Sequence, residues 1–462
     1  MTARIGTWPV LLLLWLIATL VGLGTRTLIP VDELRYTAVA WEMWHRGEFL
    51  VPYLNGEPYS HKPPLFFWLI HAGWWLFGVN EWSARLLAPL LTLLVLLATA
   101  RLAGSLWPGD VLTRRLSPPV LFAGTFLVAF FTWLQIDLLL VLMCVLAMLG
   151  IVQAARGRTV GWLLTGGALG LGILAKGPVI LLHVLPVALL APLWHGELAA
   201  GGRWRWYAGL SGAVVLAGVI ALAWALPAAA AGGEAYGQAI LWGQTSGRLV
   251  ESFAHAHPAW WYLPWLPVLF APWVLLPWLW TALKAAWPER DAGVRFCVTW
   301  LVTVLVLLSL VSGKQVKYLL PVLPAFALLV AHTLSRMDSQ PVRQRPWLLV
   351  LVLAVLGLTG MLAPAWLEQA AWLNRVNPGW GFTLLIVAFG LWWLPPQPPS
   401  RYPLLLASLS VLAVGIGQAG VLHTGAPSYD ARHASRLLAR AQDDGQPIAS
   451  VARYHGEFTF HG

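Results

Sequence analysis

Charged residues are scarce in this chain. Of its 462 residues only 10% are Asp, Glu, Lys or Arg, whereas 59% are hydrophobic. Soluble globular proteins carry about 25% charged residues, so this composition excludes a protein that lies mainly in water. Repeated apolar runs of about 20 residues predict instead an all-α polytopic membrane protein. The 30 tryptophans fit the anchoring of many spans at the membrane interfaces.

Cysteine is also scarce, since Cys144 and Cys297 are the only two, and both lie in or at the edge of apolar runs. This excludes a disulfide framework and a cysteine-based metal motif. The net charge of +10 is basic enough to suggest nucleic acid as a partner. The charges are scattered between apolar runs rather than clustered in one domain, which excludes a nucleic-acid-binding domain.

The apolar runs predict about 13 transmembrane helices. Segment 65–78 is apolar but too short for an ordinary span, and we interpret it as a helix on the outer surface. With a cytoplasmic N-terminus, this assignment places most loop arginines on the cytoplasmic side, as the positive-inside rule requires. The predicted spans, of which the first is expected to be an anchor rather than a cleaved signal peptide, lie near 8–24, 85–105, 119–133, 136–155, 161–175, 178–194, 206–227, 263–283, 295–311, 318–334, 346–364, 380–394 and 403–421.

Residues 1–421 are therefore expected to form one transmembrane domain. Within it, residues 25–84 form a first external loop and residues 228–262 a second large external loop. Residues 422–462 form an extracytoplasmic C-terminal segment with a helix-like stretch, DARHASRLLARAQ, and a strand-like stretch, PIASVARY. About 40 residues make a poor independent domain. The segment is either the start of a small α/β domain or a cap docked on the outer face.

Only five of the 29 basic residues are lysines, and four of these lysines fall on the predicted outer side or at its membrane edge: Lys62, Lys176, Lys314 and Lys317. Cations placed beside hydrocarbon against the topological trend are costly and point to function. Ammonium groups that converge on one face suit a phosphate group near the bilayer, with Arg248 as a possible supplement. The alternative is that these lysines extend to lipid headgroups.

Two aspartates lie on the same predicted face. Asp32 begins the run DELRY, in which helical spacing places Arg35 and Tyr36 beside it. Asp137 opens a predicted span in QIDLLL, where it is either a functional acid or a helix N-cap.

The stretch LNGEPYSHKPPL, residues 54–65, is polar and conformationally restricted. Asn55-Gly56 is a turn signal, and Pro63 favours an extended Lys62. Lys62 is thus expected to project from a rigid point toward the membrane face. The alternative is a loop that simply leads into the next helix.

The run from Asp32 to Ile70 resembles the first external loop of the lipid A aminoarabinose transferase and protein O-mannosyltransferase-related group, with the pattern D-E-x-R-Y followed by L-N-G-x-P-Y-x-E-K-P-P. Further similarities are QIDLLL, LAKGP, HAHPAWWYLPWLP and SGKQVKYLLPVLPAFALL. The resemblance covers residues 1 to about 340 in order. It implies a GT-C glycosyltransferase, hexosyl or pentosyl, in the bacterial cytoplasmic (inner) membrane.

The resemblance further implies a sugar donor on polyprenyl phosphate, an acceptor such as lipid A, another envelope glycan or a protein hydroxyl, and an active site on the outer face. The implied catalytic acids are Asp32 and Asp137. The donor phosphate and sugar would be bound by Arg35, Tyr36, Tyr59, Lys62, Lys176, Arg248, Lys314 and Tyr318. No cofactor is required, because the cations themselves stabilise the departing phosphate.

One position departs from the family pattern, which usually has glutamate where this chain has His61. Histidine can ligate a metal but offers no carboxylate to an amino sugar. His61, His255 and His257 are accordingly candidate ligands for a divalent metal, although a His-x-His beside paired tryptophans is more typical of an interfacial loop.

A function of another class, a transporter or flippase for a lipid-linked anion, would also place cations on one membrane face. Transporters typically bind near the midplane and show repeated halves, whereas here the polar residues cluster outside the spans and no internal repeat is evident. A purely structural role explains neither the lysines nor Asp32.

Overall fold

The computed structural model describes residues 6–196, 202–247, 256–286, 291–337, 341–366, 375–449 and 454–461. Helices dominate these ranges, and the one sheet within them is a two-stranded hairpin. The first helices are α1 Thr7–Thr25, α2 Asp32–Arg46, α3 Leu65–Phe77, α4 Glu81–Leu106, α5 Val111–Phe122, α6 Thr125–Phe130, α7 Ile136–Ala155, α8 Val160–Lys176, α9 Val179–Leu189, α10 Ala191–Trp194, α11 Arg203–Gly232 and α12 Glu234–Gln238. The hairpin consists of β1 Tyr53–Leu54 and β2 Glu57–Pro58.

The later helices are separated by more 3-10 and π turns than the earlier ones. They are α13 Leu266–Leu269, α14 Pro277–Ala286, α15 Ala292–Leu310, α16 Leu323–Met337, α17 Trp347–Trp366, α18 Gly379–Trp392, α19 Tyr402–Ile416, α20 His423–Gly425 and α21 Arg432–Asp443. Segments of 3-10 helix cover Ala259–Trp265, Trp273–Leu275, Val316–Val322, Pro399–Arg401 and Ala426–Ser428, and π-helix covers Ala239–Gly247 and Gly417–Leu422.

Seven helical segments in the described ranges are long and apolar enough to cross a membrane: Thr7–Thr25, Glu81–Leu106, Ile136–Ala155, Arg203–Gly232, Ala292–Leu310, Val316–Met337 and Pro399–Asp443. Shorter apolar helices, such as α8, α9 and α18, pack among or beside them. A bundle of such helices satisfies its backbone hydrogen bonds internally, as a hydrocarbon environment requires. The predicted all-α polytopic membrane fold is therefore confirmed.

Three predicted spans are not continuous helices, and the first, at 178–194, is divided between α9 and α10 at Leu190. The segment predicted at 119–133 is divided between α5 and α6, with Gly124 in extended conformation between them. The segment predicted at 263–283 is divided into 3-10 and short α-helical pieces. Four prolines, at 264, 267, 272 and 277, remove backbone N–H donors from that stretch and interrupt a regular helix.

Helix direction brings several chain segments to one end of the bundle. Here α1 ends, α7 begins and α8 ends, so that Asp137 at the start of α7 meets Lys176 at the end of α8. Helices α2 and α3 and the β-hairpin lie at this same end, which we call the α2 end. The predicted short helix at 65–78 is confirmed as α3, which begins immediately after Pro64.

The hairpin is fixed to α2 through its turn. Asn55 and Gly56 both have positive φ, 57° and 82°, which confirms the turn predicted from Asn-Gly. The buried carboxylate of Glu42 on α2 accepts hydrogen bonds from both turn amides, that of Gly56 at 3.0 Å. Glu42 thereby sets the position of the loop that continues to Tyr59 and Lys62.

The C-terminal segment docks against these elements. Its predicted helix is confirmed as α21, whereas half of the predicted strand PIASVARY, residues 450–453, lies outside the described ranges. The Phe460 ring stacks on Trp74 of α3 with centroids 5.7 Å apart, and the Asn55 amide donates to the Tyr454 carbonyl at 3.2 Å. Of the two alternatives drawn from the sequence, these contacts favour the docked cap.

Candidate active site

Asp32, the first residue of α2, lies between two cations. Its Oδ1 accepts from the Arg35 guanidinium one helical turn on, and its Oδ2 lies 2.7 Å from the Lys317 ammonium. Lys317 lies in the 3-10 segment that precedes α16 and also donates to the Gln135 side chain at 3.4 Å. The carboxylate is about one-quarter exposed, so it is held in place yet accessible.

Asp137 forms a second ion pair close by. Its Oδ1 accepts from the Lys176 ammonium, and both side chains are buried. The ammonium of Lys176 also lies 4.5 Å from the centroid of the Tyr318 ring, in cation–π geometry. Because Gln135 lies two residues before Asp137 and Tyr318 follows Lys317, the two ion pairs form one continuous polar cluster.

The charge environment keeps Asp32 ionised. Burial by itself would raise the pKa of this carboxyl, but the charges of Lys317, Arg35 and Lys62 outweigh burial and hold its pKa below the usual value. Lys62 is therefore close enough to act on Asp32, as predicted for the rigid loop after the hairpin. A carboxylate with a lowered pKa is a weak base, but its negative charge can stabilise positive charge nearby.

Aromatic side chains form the wall beside the charges. Tyr36 is buried and packs against Phe66 and Phe67 of α3, with ring centroids 5.8 and 6.4 Å away. Burial first, and then the charges of Asp32 and Asp137, raise the pKa of Tyr36 well above its usual value, so the phenol stays protonated. Tyr59 packs on Phe67 as well, with ring centroids 6.5 Å apart.

Two residues of this end were missed as site residues by sequence reasoning. Lys317 was counted among the outward lysines but not assigned to Asp32, since 285 residues separate them. Glu33 was overlooked because an acid adjacent to Asp32 reads as part of the same motif. Its carboxylate accepts from both Arg26 Nη atoms, at 2.6 and 3.1 Å, and from the Ile29 and Leu134 amides, at 2.8 and 2.6 Å. Glu33 therefore ties the start of α2 to the segment before α7.

Lys314 has different neighbours from the other predicted donor-binding cations. Its ammonium donates to the backbone carbonyls of Val311 and, at 2.8 Å, His257. The side chain thus joins the loop before the 3-10 segment Ala259–Trp265 to the end of α15. No contact of Lys314 with Asp32 or Asp137 is present in the described part, and its role in donor binding stays a prediction.

The two predicted metal ligands in the described ranges, His61 and His257, each pack against an aromatic ring. The His61 ring lies 5.2 Å from that of Tyr59, whereas His257 stacks on Trp261 with centroids 4.4 Å apart. Within the described ranges no group of three His, Cys, Asp or Glu side chains is arranged to hold a metal ion. His255 and Arg248 lie outside those ranges, so both assignments stay predictions.

Comparison with known proteins shows which family the sequence is similar to. Residues 61–226 match the family described as dolichyl-phosphate-mannose-protein mannosyltransferase. The chain is 32% identical over 438 residues to the undecaprenyl phosphate-alpha-4-amino-4-deoxy-L-arabinose arabinosyl transferase of Pseudomonas aeruginosa strain UCBPP-PA14, covering 89% of this chain and 76% of that protein. A protein of the same name from Pectobacterium atrosepticum is 31% identical over 411 residues, covering 83% and 69%.

The fold is similar to that of a solved relative. ArnT from Cupriavidus metallidurans, crystallised with undecaprenyl phosphate, superposes with a TM-score of 0.78 over 98% of this chain and 84% of that one, at 22% sequence identity. Its apo structure gives a TM-score of 0.77 at 21% identity. The arrangement of helices at the α2 end is therefore shared with that protein at the level of the fold.

Proposed function

Because this chain belongs to the family of undecaprenyl phosphate-alpha-4-amino-4-deoxy-L-arabinose arabinosyl transferases and is a membrane glycosyltransferase, we propose that it transfers a sugar from a polyprenyl-phosphate donor to a lipid A-type acceptor. The observation that carries the proposal is the cluster at the α2 end, where Asp32 lies between Arg35 and Lys317 and next to the Asp137–Lys176 pair. The donor carries a charged phosphate on an apolar lipid chain, which explains both the cations and their position at the end of a hydrophobic bundle.

The charge balance of the cluster suits the leaving group. Among the described residues, four cations act on the cluster, Arg35, Lys62, Lys176 and Lys317, against the two carboxylates of Asp32 and Asp137, so cations outnumber acids there. A polyprenyl phosphate that carries a sugar is a singly charged phosphodiester, and it becomes a more highly charged monoester when the sugar leaves. The excess positive charge therefore stabilises the transition state more than the bound donor.

The reaction is a displacement at the anomeric carbon of the sugar. The bond from that carbon to the phosphate oxygen breaks and its electron pair stays with the polyprenyl phosphate, while an acceptor oxygen forms the new bond. Positive charge that develops on the sugar is stabilised by the ionised Asp32. Lys317 and Arg35 pair with the donor phosphate as its charge grows. They then neutralise Asp32 less, so the carboxylate becomes available to the sugar or to the acceptor.

The acceptor decides whether a proton must be removed. A phosphate group of lipid A is already ionised near neutral pH and needs no strong base. A hydroxyl acceptor would require Asp32 to accept a proton, and its lowered pKa makes it poorly suited for that task. The phosphate acceptor fits the electrostatics of Asp32 better, which supports lipid A over a protein hydroxyl.

We place the α2 end on the extracytoplasmic side of the inner membrane. The loops predicted at the opposite end carry most of the arginines, as the positive-inside rule expects for cytoplasmic loops. Lipid-linked sugar and lipid A would then meet at the outer leaflet.

The identity of the sugar is linked to the residue at position 61, which is histidine in this chain. In a relative that uses an amino sugar, a glutamate at this position would pair with the amine, whereas the neutral imidazole of histidine offers only one acceptor nitrogen. His61 lies against Tyr59 in the loop that also carries Lys62. We infer that the sugar is a pentose or hexose bound near this loop, with aminoarabinose as the first candidate to test.

The test is transfer by the purified protein in lipid nanodiscs, with undecaprenyl phosphate-aminoarabinose as donor and lipid A as acceptor, followed by mass spectrometry of the lipids. Wild-type protein should produce lipid A that carries an added sugar. Asp32→Asn should lower the rate of this transfer by about 10²-fold or more. Asp443→Asn on the exposed face of α21 is the matched control and should keep full activity.

The Lys62→Ala variant tests the donor role separately. It should raise the apparent KM for the donor more than that for the acceptor, because Lys62 is assigned to the donor phosphate. Movement of the donor lipid between leaflets with no sugar transfer would support the flippase alternative instead. Wild-type rates in Asp32→Asn would remove the carboxylate from the mechanism.

A further inference from the structure

The last stretch of chain that the structure describes, residues 454–461, packs against the β-hairpin and α3, and we call it the docking turn. The side-chain amide of Asn55, at the tip of the hairpin, donates to the Tyr454 carbonyl at 3.2 Å. The Phe460 ring stacks on Trp74 of α3 at 5.7 Å, with the two ring planes only 6° apart. The docking turn therefore contacts the hairpin and the helix that follows it, although 399 residues separate Asn55 from Tyr454.

Gly456 allows this part of the chain to approach closely. It is buried and has a positive φ of 82°. A Cβ atom at this position would lie 2.6 Å from Leu54 Cδ1 and 3.0 Å from Ala38 Cβ. Leu54 ends strand β1, and Ala38 lies on α2. The docking turn thus fits against the hairpin and α2 without room for one more methyl group, and glycine alone combines this space with this backbone conformation.

Contacts within the docking turn maintain its shape. The hydroxyl groups of Tyr454 and Thr459 lie 2.8 Å apart, and the Phe458 amide donates to the Tyr454 hydroxyl at 3.2 Å. The Tyr454 and Phe458 rings stack with centroids 6.0 Å apart. The His455 amide donates to the Glu457 carboxylate at 2.8 Å. A segment that is already ordered by its own contacts loses less conformational entropy on docking, so it can hold the hairpin firmly.

The tip of the hairpin is held at two points. The Glu42 carboxylate on α2 accepts from its backbone amides, and the docking turn accepts from the Asn55 side chain. Strand β2 leads from the tip directly to Tyr59, whose amide donates at 2.7 Å to the carbonyl of Pro52, the residue before β1. Pairing across a short hairpin fixes its register, so the position of the tip and the position of Tyr59 are coupled.

We propose that the docking turn positions the loop that carries Tyr59 and Lys62, with Gly456 and Phe460 as its positioning residues. This inference rests on the function proposed above, in which Lys62 binds the donor phosphate. Lys62 lies three residues beyond Tyr59, and its charge acts on Asp32. Because the attraction between charges depends on their distance, a shift of the hairpin weakens the grip of Lys62 on the phosphate. The docking turn acts on the reaction only through the hairpin.

The first measurement is amide hydrogen exchange of the full chain in nanodiscs, which needs neither donor nor acceptor. In Gly456→Ala the added Cβ collides with Leu54, so the docking turn should move away from the hairpin. The amides of Gly56 and Tyr59 should then exchange about tenfold faster or more, because local opening of the hairpin costs less free energy. Amides in the middle of α7 should exchange as in wild type, which shows that the bundle stays folded.

Gly445→Ala is the matched control for backbone strain. Gly445 also has a positive φ, 69°, but a Cβ atom there would meet nothing within 4 Å among the described residues. This variant imposes the same type of strain without a collision, and its hairpin should exchange like that of the wild type.

Phe460 tests the docking turn without any backbone strain. Phe460→Ala removes the stack on Trp74 and should speed exchange at Gly56 and Tyr59, as Gly456→Ala does. Phe460→Tyr keeps the aromatic ring and should retain wild-type exchange.

Transfer kinetics then connect the hairpin to the donor. Gly456→Ala and Phe460→Ala should each raise the apparent KM for the donor about tenfold or more, whereas the KM for the acceptor should stay at the wild-type value. A purely structural role would lower the amount of folded enzyme, which changes the maximal rate but neither KM. Gly445→Ala and Phe460→Tyr should match the wild type in both constants.

Wild-type exchange at Gly56 and Tyr59 in both Gly456→Ala and Phe460→Ala would overturn the proposal, since the docking turn would then not hold the hairpin. Faster exchange with an unchanged donor KM would overturn it as well, because the hairpin and donor binding would then be independent. Absence of sugar transfer by the wild-type protein would overturn the proposed function. Faster hairpin exchange in the two variants would still support the docking turn as the element that positions this loop.

Discussion

The ammonium of Lys317 lies 2.7 Å from the carboxylate of Asp32, although 285 residues separate them in the chain. The contact joins the start of α2 to the 3-10 turn before α16, on the side where Gln135 and Asp137 begin α7. Lys317 thus contacts two chain segments that meet it only in the folded bundle, the start of α2 and the residue before α7. The charge state and the orientation of Asp32 both depend on this long-range pair.

Removal of this pair should change the pH dependence of transfer. Burial and the charges of Lys317, Arg35 and Lys62 set the pKa of Asp32 below 3.8. In Lys317→Met burial remains while the largest opposing charge is lost, so the pKa of Asp32 rises. Activity requires the ionised carboxylate and falls as pH drops through this pKa. The acid limb of the kcat/KM profile should therefore move to higher pH. Lys284→Met, at the last turn of α14, serves as control. An acid limb at the wild-type position would contradict the role given to Lys317.

Removal of either partner of the buried Asp137–Lys176 pair should destabilise the protein. Both side chains are largely inaccessible, so removal of one partner leaves the other charge buried and unpaired. Asp137→Asn or Lys176→Met alone should each destabilise the protein by about 3–5 kcal/mol. The double variant should lose less than the sum of the two, because neither uncompensated charge then remains. Chemical unfolding of the nanodisc-embedded proteins measures the coupling, and simple additivity of the two losses would show that the pair acts as two independent residues.

Glu33 should affect structure more than chemistry. Its carboxylate accepts four hydrogen bonds, two of them from Arg26 and two from backbone amides. Glu33→Gln keeps the shape but replaces an acceptor by a donor and leaves Arg26 without its counter-charge. The unfolding midpoint should fall in this variant, whereas Asp32→Asn should leave it nearly unchanged. Thermal unfolding of the two variants side by side gives the comparison, and the opposite order would mean that Asp32, not Glu33, supports the fold of this end.

Substitution of His61 should change the choice of sugar. A carboxylate introduced beside Tyr59 can pair with the amine of an amino sugar, which a neutral imidazole cannot do. His61→Glu should therefore raise kcat/KM for undecaprenyl phosphate-aminoarabinose by about tenfold relative to a neutral-sugar donor. Competition between the two donors, read by mass spectrometry of the product, measures the ratio. His61→Gln is the uncharged control. An equal gain in both variants would assign the effect to side-chain size rather than charge.

Several features of the fold followed from local sequence properties. Apolar runs predict most spans because a transmembrane helix must be long and hydrophobic whatever its neighbours are. Asn55-Gly56 predicts its turn because both residues adopt positive φ readily. The prediction of continuous helices at 119–133, 178–194 and 263–283 was wrong. The prolines of the last segment are evident in the sequence, but an average hydropathy does not register the loss of their backbone N–H donors.

The site was predictable only in part. Asp32 and Arg35 lie within one helical turn, so their spacing sufficed to predict the contact. The partners Lys317, Gln135 and Leu134 approach from distant segments, and no periodicity links them to α2. The commitment of Lys314 to two backbone carbonyls was equally invisible, since it depends on the bridge between Ala256 and Gly313.

Composition and hydropathy alone determined that this is a helical membrane protein with polar loops that carry acids and lysines, because the cost of exposing polar groups to hydrocarbon acts on each segment separately. Tertiary structure alone decided which cation faces which carboxylate. Helices that run in alternate directions bring the start of one beside the end of another, and a charge at such an end finds its partner through the packing of the whole bundle.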